Sequence, residues 1–178
     1  MTNNLPNSLD LEKIRAAYPV LQRVTYLNVG TYGIMPEPAL SAFIQILSEF
    51  EQNGVASNHE AHRKTEETRR RIAEMIHCDS TEIAFTRNAT DGINLVLAGI
   101  DWQAGDEVIT TVQEHEAMIH PLMYLQKTRG IVVKFVDVSP EPEAMLNQLE
   151  QQVTARTRLV GMSLVTCETG TRLPANGR

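Results

Sequence analysis

The chain has 178 residues and a mass of 19.9 kDa, with 42% hydrophobic, 21% charged and 5% aromatic residues. That size permits one ordinary domain with a real core. With 16 basic against 22 acidic residues the net charge is −6 and the pI near 5.4, which argues against a nucleic-acid binder. The basic residues His62, Arg63, Lys64, Arg69, Arg70 and Arg71 interleave with Glu60, Glu66 and Glu67. Such a pattern reads as a solvated helix face laced with ion pairs. The N-terminus lacks both the basic and the apolar regions of a signal peptide, and the apolar run Ile93–Ile100 is too short to span a bilayer. Cys78 and Cys167 form neither a disulfide framework nor a metal-ligand spacing, so a reduced, cytoplasmic setting is expected.

In chain order, residues 1–8 read as a polar lead and 9–17 as a short helix ended at the Tyr18-Pro19 step. Val24-Thr25-Tyr26-Leu27 is strand-like and runs into the glycine-bearing loop Asn28–Gly33. Pro36 and Pro38 open a helix whose residues Leu40, Phe43, Ile44, Leu47 and Phe50 have the spacing of one buried stripe, and Asn53-Gly54 stops it. A further helix over 59–77 is expected to bury Ile72, Met75 and Ile76. From residue 82 the rhythm becomes regular. Strands are expected at 83–86, 107–112, 131–138 and 159–165, with helices at 93–100, 117–128 and 142–153 between them. Strands dense in Val and Ile, alternating with helices, point to an α/β fold with a parallel sheet covered on both faces.

Ligands of such sheets bind beyond the carboxyl ends of the strands, where this sequence places three turns. The first, Thr86-Arg87-Asn88-Ala89-Thr90-Asp91-Gly92, leads into a helix whose unpaired N–H groups suit a phosphate. Ala89 is small enough to let an anion approach the backbone, and Thr90 adds a hydroxyl; simple helix capping by Asn88 or Thr90 is the alternative. The second, Gln113-Glu114-His115-Glu116-Ala117, carries a histidine flanked by two carboxylates, which would favour imidazolium if they approached it. A surface histidine is the plainer reading. His59 and His62 lack the partners a metal site needs, and His77 and His120 read as packing or surface residues. The third turn, Val165-Thr166-Cys167-Glu168-Thr169-Gly170, offers Cys167 as a nucleophile without an identifiable base, or as a small semi-buried thiol.

Together the three turns resemble the N-terminal half of the class V aminotransferase and cysteine desulfurase family, pyridoxal-phosphate enzymes of fold type I. The matching stretches are Ile14-Arg15, Tyr18-Pro19 and Leu21 leading to Tyr26-Leu27-Asn28, then Phe85–Thr90, Glu107-Val108-Ile109 with Glu114-His115, and Glu168-Thr169-Gly170 with Leu173-Pro174. The resemblance implies a three-layer αβα fold with a mainly parallel sheet. Residues 1–35 would form an N-terminal arm and substrate-loop segment, and 36–178 the N-terminal portion of the large cofactor-binding domain. It implies that Ala89 and Thr90 bind the cofactor phosphate, and that His115 stacks on the pyridine ring and assists proton transfer. Asn28–Gly33 would border the substrate pocket. Cys167 stands where the desulfurases carry an asparagine that bonds the cofactor's phenolic oxygen, which is a departure from the standard pattern.

The expected chemistry is carbanion stabilisation at the α-carbon of an amino-acid substrate, with C–S cleavage, transamination or epimerisation as outcomes. Lys13, Lys64, Lys127 and Lys134 are the only lysines, and none occupies the position of the family's Schiff-base lysine. The expectation is therefore a truncated or split member, inactive alone and without nucleic-acid or membrane partners, whose full-length form is a homodimer. In that truncated form strand 83–86 would lack its native partners in the sheet, and the Pro174-Ala175-Asn176-Gly177 stretch would approach another helix. A non-catalytic remnant or assembly partner is the alternative from another class, and a small Rossmann-like phosphate or nucleotide binder is a third.

Overall fold

A computed structural model describes residues 10–174 of the protein, so the expected polar lead and the stretch 175–177 lie outside the described residues. The chain divides into two compact units between Ala84 and Phe85.

The first unit is helical. Helix α1 (Leu11–Ala16) starts where the Asp10 side chain accepts from the Lys13 amide at 3.0 Å, and a single 3₁₀ turn, Pro19–Gln22, follows the Tyr18-Pro19 step. The strand expected at 24–27 does not form. Tyr26 Oη instead donates to the Tyr32 carbonyl at 2.7 Å, closing a loop over Asn28–Gly33. An extended tetrapeptide becomes a strand only against a neighbouring backbone. Helix α2 (Glu37–Asn53) begins at Pro36 and Pro38 and ends at Gly54, whose φ of 54° lies in the region that favours glycine. Helix α3 (Asn58–Ile76) carries the expected ion pairs, among them Glu60–Arg63 at 2.7 Å and Glu67–Arg71 at 2.6 Å.

Burial in this unit departs from the sequence reading. The α2 stripe Leu40, Phe43, Ile44, Leu47 and Phe50 is 37–57% exposed, and on α3 Met75 and Ile76 are exposed while Ala73 is buried. Apolar period sets where a helix would bury its face, but burial needs an opposing surface.

The second unit carries α4 (Ala89–Gly99), β1 (Glu107–Thr111), α5 (Glu116–Arg129), β2 (Val132–Val136), α6 (Pro142–Gln152) and β3 (Thr157–Val160). The sheet is parallel, in the order β2-β1-β3. Ile83–Thr86, expected as a strand, takes no part in it: the ladders join β1 to β2 and β1 to β3. Strand β1 is buried along its whole length. On one face Val108 packs with Leu97 of α4, Leu122 of α5 and Trp102. On the other, Ile109 packs with Val136, Met145 of α6 and Leu173. Alternate side chains of one strand thus feed two cores, giving three layers, αβα. Strand β3 stops at Val160 rather than 165; Gly161 still donates to the Ile109 carbonyl at 2.9 Å, but the Ser163 amide turns to the Glu114 carboxylate at 2.8 Å.

At the amino end of β1, the buried Glu107 carboxylate accepts from Lys134 Nζ at 2.7 Å, Thr154 Oγ1 at 2.6 Å and Arg156 Nη2 at 3.3 Å. The Lys134 and Thr154 hydrogen bonds hold its pKa down at about 2. No helix among the described residues is long and apolar enough to cross a membrane.

Candidate cofactor site

The second and third chemistry-bearing turns follow β1 and β3 at the carboxyl ends of these strands, opposite the Glu107 cluster, and the first opens α4. In the first, Asn88 is extended and caps α4, its Oδ1 accepting from the Asp91 amide at 2.9 Å. The Gly92 amide donates to the Asn88 carbonyl at 3.2 Å, and Thr86 Oγ1 braces that carbonyl at 3.1 Å. Among the described residues this leaves the amides of Ala89 and Thr90 as the unpaired donors of the helix start. Capping and anion binding, read as alternatives from the sequence, would use different donors here, so the cap does not preclude an anion. Asp91 pairs with Arg87 at 3.1 Å, and the Arg87 hydrogen bond lowers its pKa.

The second turn is fastened on both sides. His115 is the N-cap of α5, with Nδ1 accepting from the Ala117 amide at 3.0 Å. A nitrogen that accepts carries no proton, so Nε2 bears the hydrogen of the neutral ring. The Glu114 carboxylate is engaged away from the imidazole. Its Oε1 accepts from the Ser163 amide at 2.8 Å and Thr111 Oγ1 at 3.1 Å, and its Oε2 from Ser163 Oγ at 2.7 Å.

The third turn is a tight reversal. The Gly170 amide donates to the Thr166 carbonyl at 3.0 Å, the Thr166 amide to the Thr171 carbonyl at 3.0 Å, and Val165 bridges Arg172. Thr169 Oγ1 donates to Gln113 Oε1 at 2.8 Å, tying this turn to the second. Cys167 is exposed at its tip, not semi-buried.

A cavity of about 580 Å³ opens between α4 and α5, and Thr90 and His115 both line it with Asn94, His120, Pro121 and Tyr124. Two of the sequence-selected positions therefore meet at one cavity, with Ala89 next to Thr90 in the chain. Cys167 is not among its lining residues, and the loop Asn28–Gly33 belongs to the first unit. Sequence reasoning missed Gln113, Ser163 and Thr169 as turn-fastening groups. Their partners lie 49 and 56 residues away, beyond any local pattern. No cluster of metal-ligating side chains occurs among the described residues.

The family model "Aminotransferase class-V" matches residues 26–177. A cysteine desulfurase of Enterobacter sp. (strain 638) is 30% identical, the alignment covering 94% of this chain and 45% of the relative. A probable cysteine desulfurase of Pyrococcus abyssi is 28% identical, covering 80% of this chain and 37% of its own length. Among solved structures, a variant of C-DES with glycine covalently linked to its PLP cofactor superposes with a TM-score of 0.79 at 32% identity, covering 90% of this chain and 43% of that one. The cystine C–S lyase C-DES in complex with cysteine persulfide gives a TM-score of 0.78, also at 32% identity, covering 88% and 42%. The chain thus spans less than half the length of each of these proteins.

Proposed function

The chain belongs to the aminotransferase class-V family, with the fold of the fold type I pyridoxal-phosphate enzymes, and from that premise we propose that it holds pyridoxal 5'-phosphate and contributes to chemistry on an amino acid. The observation that carries this reading is the meeting of Thr90 and His115 at one cavity, beside the unpaired amides of a helix start. Two N–H donors, the helix dipole and a threonine hydroxyl form a donor set suited to a phosphate dianion. The residues present fit the group.

In this reading Ala89 and Thr90 bind the phosphate. His115 lies against the ring, and its Nε2 is the atom at which a proton is held or passed, since Nδ1 is engaged by Ala117. Cys167, which stands where the desulfurases carry an asparagine, would supply the phenolic oxygen with a weaker hydrogen bond than an amide, and it is exposed and does not line the cavity. When bound, the cofactor supplies an electron sink for charge developing at the amino acid's α-carbon. Cysteine or cystine is the substrate class, by analogy with the desulfurases and the C–S lyase, and the setting is a reduced cytoplasm with a homodimer as the working form.

Of the lysines in the second unit, Lys134 is bound to Glu107 at the opposite edge of the sheet and Lys127 lies in the last turn of α5. Neither lines the cavity, and in this reading the stretch binds the cofactor without turning substrate over by itself. The experiment is a titration with pyridoxal 5'-phosphate and, separately, with pyridoxal. The phosphorylated form should bind at least about tenfold more tightly, a preference that Thr90→Val reduces. Equal binding of the two would overturn the assignment of the first turn, and release of sulfide or pyruvate from cysteine by the isolated chain would overturn the claim of no turnover.

A further inference from the structure

We propose that Glu114 is a positioning residue, which fixes the imidazole of His115 by locking the turn after β1 to the segment after β3; the role rests on the reading of His115 as a cofactor-side group. The Glu114 carboxylate accepts three hydrogen bonds, from the Ser163 amide at 2.8 Å, Ser163 Oγ at 2.7 Å and Thr111 Oγ1 at 3.1 Å. Bonds to an ionised acceptor are shorter and stronger than neutral ones, and a carboxylate has the lone pairs to take all three. The residue before it acts in the same sense: Gln113 Oε1 accepts from Thr169 Oγ1 at 2.8 Å. Two consecutive side chains therefore hold both ends of the 163–169 segment.

His115 comes next in the chain. Its backbone is extended, with φ −65° and ψ 149°, and its Nδ1 is held by the Ala117 amide at 3.0 Å. The backbone of His115 is gripped by Glu114 on one side and its Nδ1 by α5 on the other, and the residue lines the cavity together with Thr90. The carboxylate beside the histidine thus acts on the backbone that carries the ring and not on the ring's proton. A glutamine could replace it, since its carbonyl can accept from Ser163 N and Thr111 Oγ1 while its amide donates to Ser163 Oγ.

The experiment uses the full chain labelled with ¹⁵N-histidine, read by long-range proton–nitrogen spectra at mildly alkaline pH, where imidazole is neutral. His115 should show one tautomer, with the proton on Nε2, in the unmodified chain and in Glu114→Gln. In Glu114→Ala that signature should be lost to tautomer averaging, and pyridoxal 5'-phosphate should bind about tenfold more weakly. Should Glu114→Ala fail to fold by circular dichroism, Ser163→Ala carries the test. It removes the Oγ donor alone and should shift the His115 nitrogens part of the way. An unmoved His115 signature in the folded alanine variant, or a glutamine variant that behaves like alanine, overturns the proposal. If the unmodified chain takes no pyridoxal 5'-phosphate while the tautomer still follows Glu114, the functional reading falls and the positioning of the ring stands.

Discussion

Lys134 Nζ lies 2.7 Å from the Glu107 carboxylate across the β1–β2 ladder, and the same ammonium donates to the carbonyl of Gln152, the last residue of α6, at 2.9 Å. One cation thus joins two strands and closes a helix end, where positive charge is favoured. Thr154 and Arg156, just before β3, complete the set around Glu107, so the middle of β2 and the approach to β3 are both tied to one buried carboxylate at the amino end of β1.

That arrangement makes a prediction about acid. The Glu107 pKa of about 2 in the folded chain lies below the ordinary 4.5, so its contribution to stability is fully present above the latter value and is lost as pH falls through the former. Glu107→Gln should destabilise the chain near neutrality, and the gap in urea midpoint between variant and parent should close between these two values. A gap that stays constant over that range would show that the carboxylate's charge is not what holds the strands.

The two cores of the second unit should respond separately. Leu122 and Met145 are both fully buried, on opposite faces of β1. Alanine at either should cost about 2–5 kcal/mol, and the double variant should cost close to the sum, since no contact is shared. Phe43→Ala on α2, by contrast, should cost less than about 0.5–1 kcal/mol, because the ring is 57% exposed. Equilibrium denaturation measures all four. A Phe43 cost as large as that of Leu122 would mean that the α2 stripe is covered in solution.

The contrast between Leu122 and Phe43 also marks how far the sequence was legible. The parallel αβα unit was readable because Val/Ile-dense strands alternate with helices, and this is a local pattern. The α2 stripe was equally regular, but periodicity specifies only which side of a helix is apolar. Whether Phe43 and Leu47 are buried depends on a second surface. The segments at 24–27 and 83–86 failed as strands for the same reason, since a ladder belongs to two backbones. At the site, His115 was identifiable from its place at a strand-to-helix turn and Thr90 from its place at a helix start, although the strand expected before it does not form. The grip of Glu114 on Ser163 was not, because no local rule links residues on two loops 49 positions apart.

The start of α4 offers a separate test of capping against anion binding. Asn88→Ala removes the acceptor for the Asp91 amide and should cost about 1 kcal/mol, with faster hydrogen exchange in the first turn of the helix. The amides of Ala89 and Thr90 do not depend on that side chain. Phosphate affinity should therefore fall only as far as the first turn frays, and added phosphate should restore protection. Unchanged exchange at Asp91 in the variant would remove Asn88 as the cap.

The end of α3 holds the one non-glycine residue with positive φ among those described, His77 at 59°, in the left-handed conformation. Its amide donates to the Glu74 carbonyl and the Cys78 amide to the Ala73 carbonyl, the pairing that terminates a helix when the residue after it turns left-handed. An L-residue with a Cβ is strained there by roughly 1–2 kcal/mol, which glycine avoids. Glycine also enlarges the freedom of the unfolded chain, which offsets part of that gain. The His77 side chain is exposed, so its removal sacrifices no core contact. His77→Gly should therefore stabilise the chain by about 0.5–1 kcal/mol, read as a raised urea midpoint with an unchanged slope. Destabilisation by the same amount would show that the imidazole makes a contact in solution that outweighs the backbone strain.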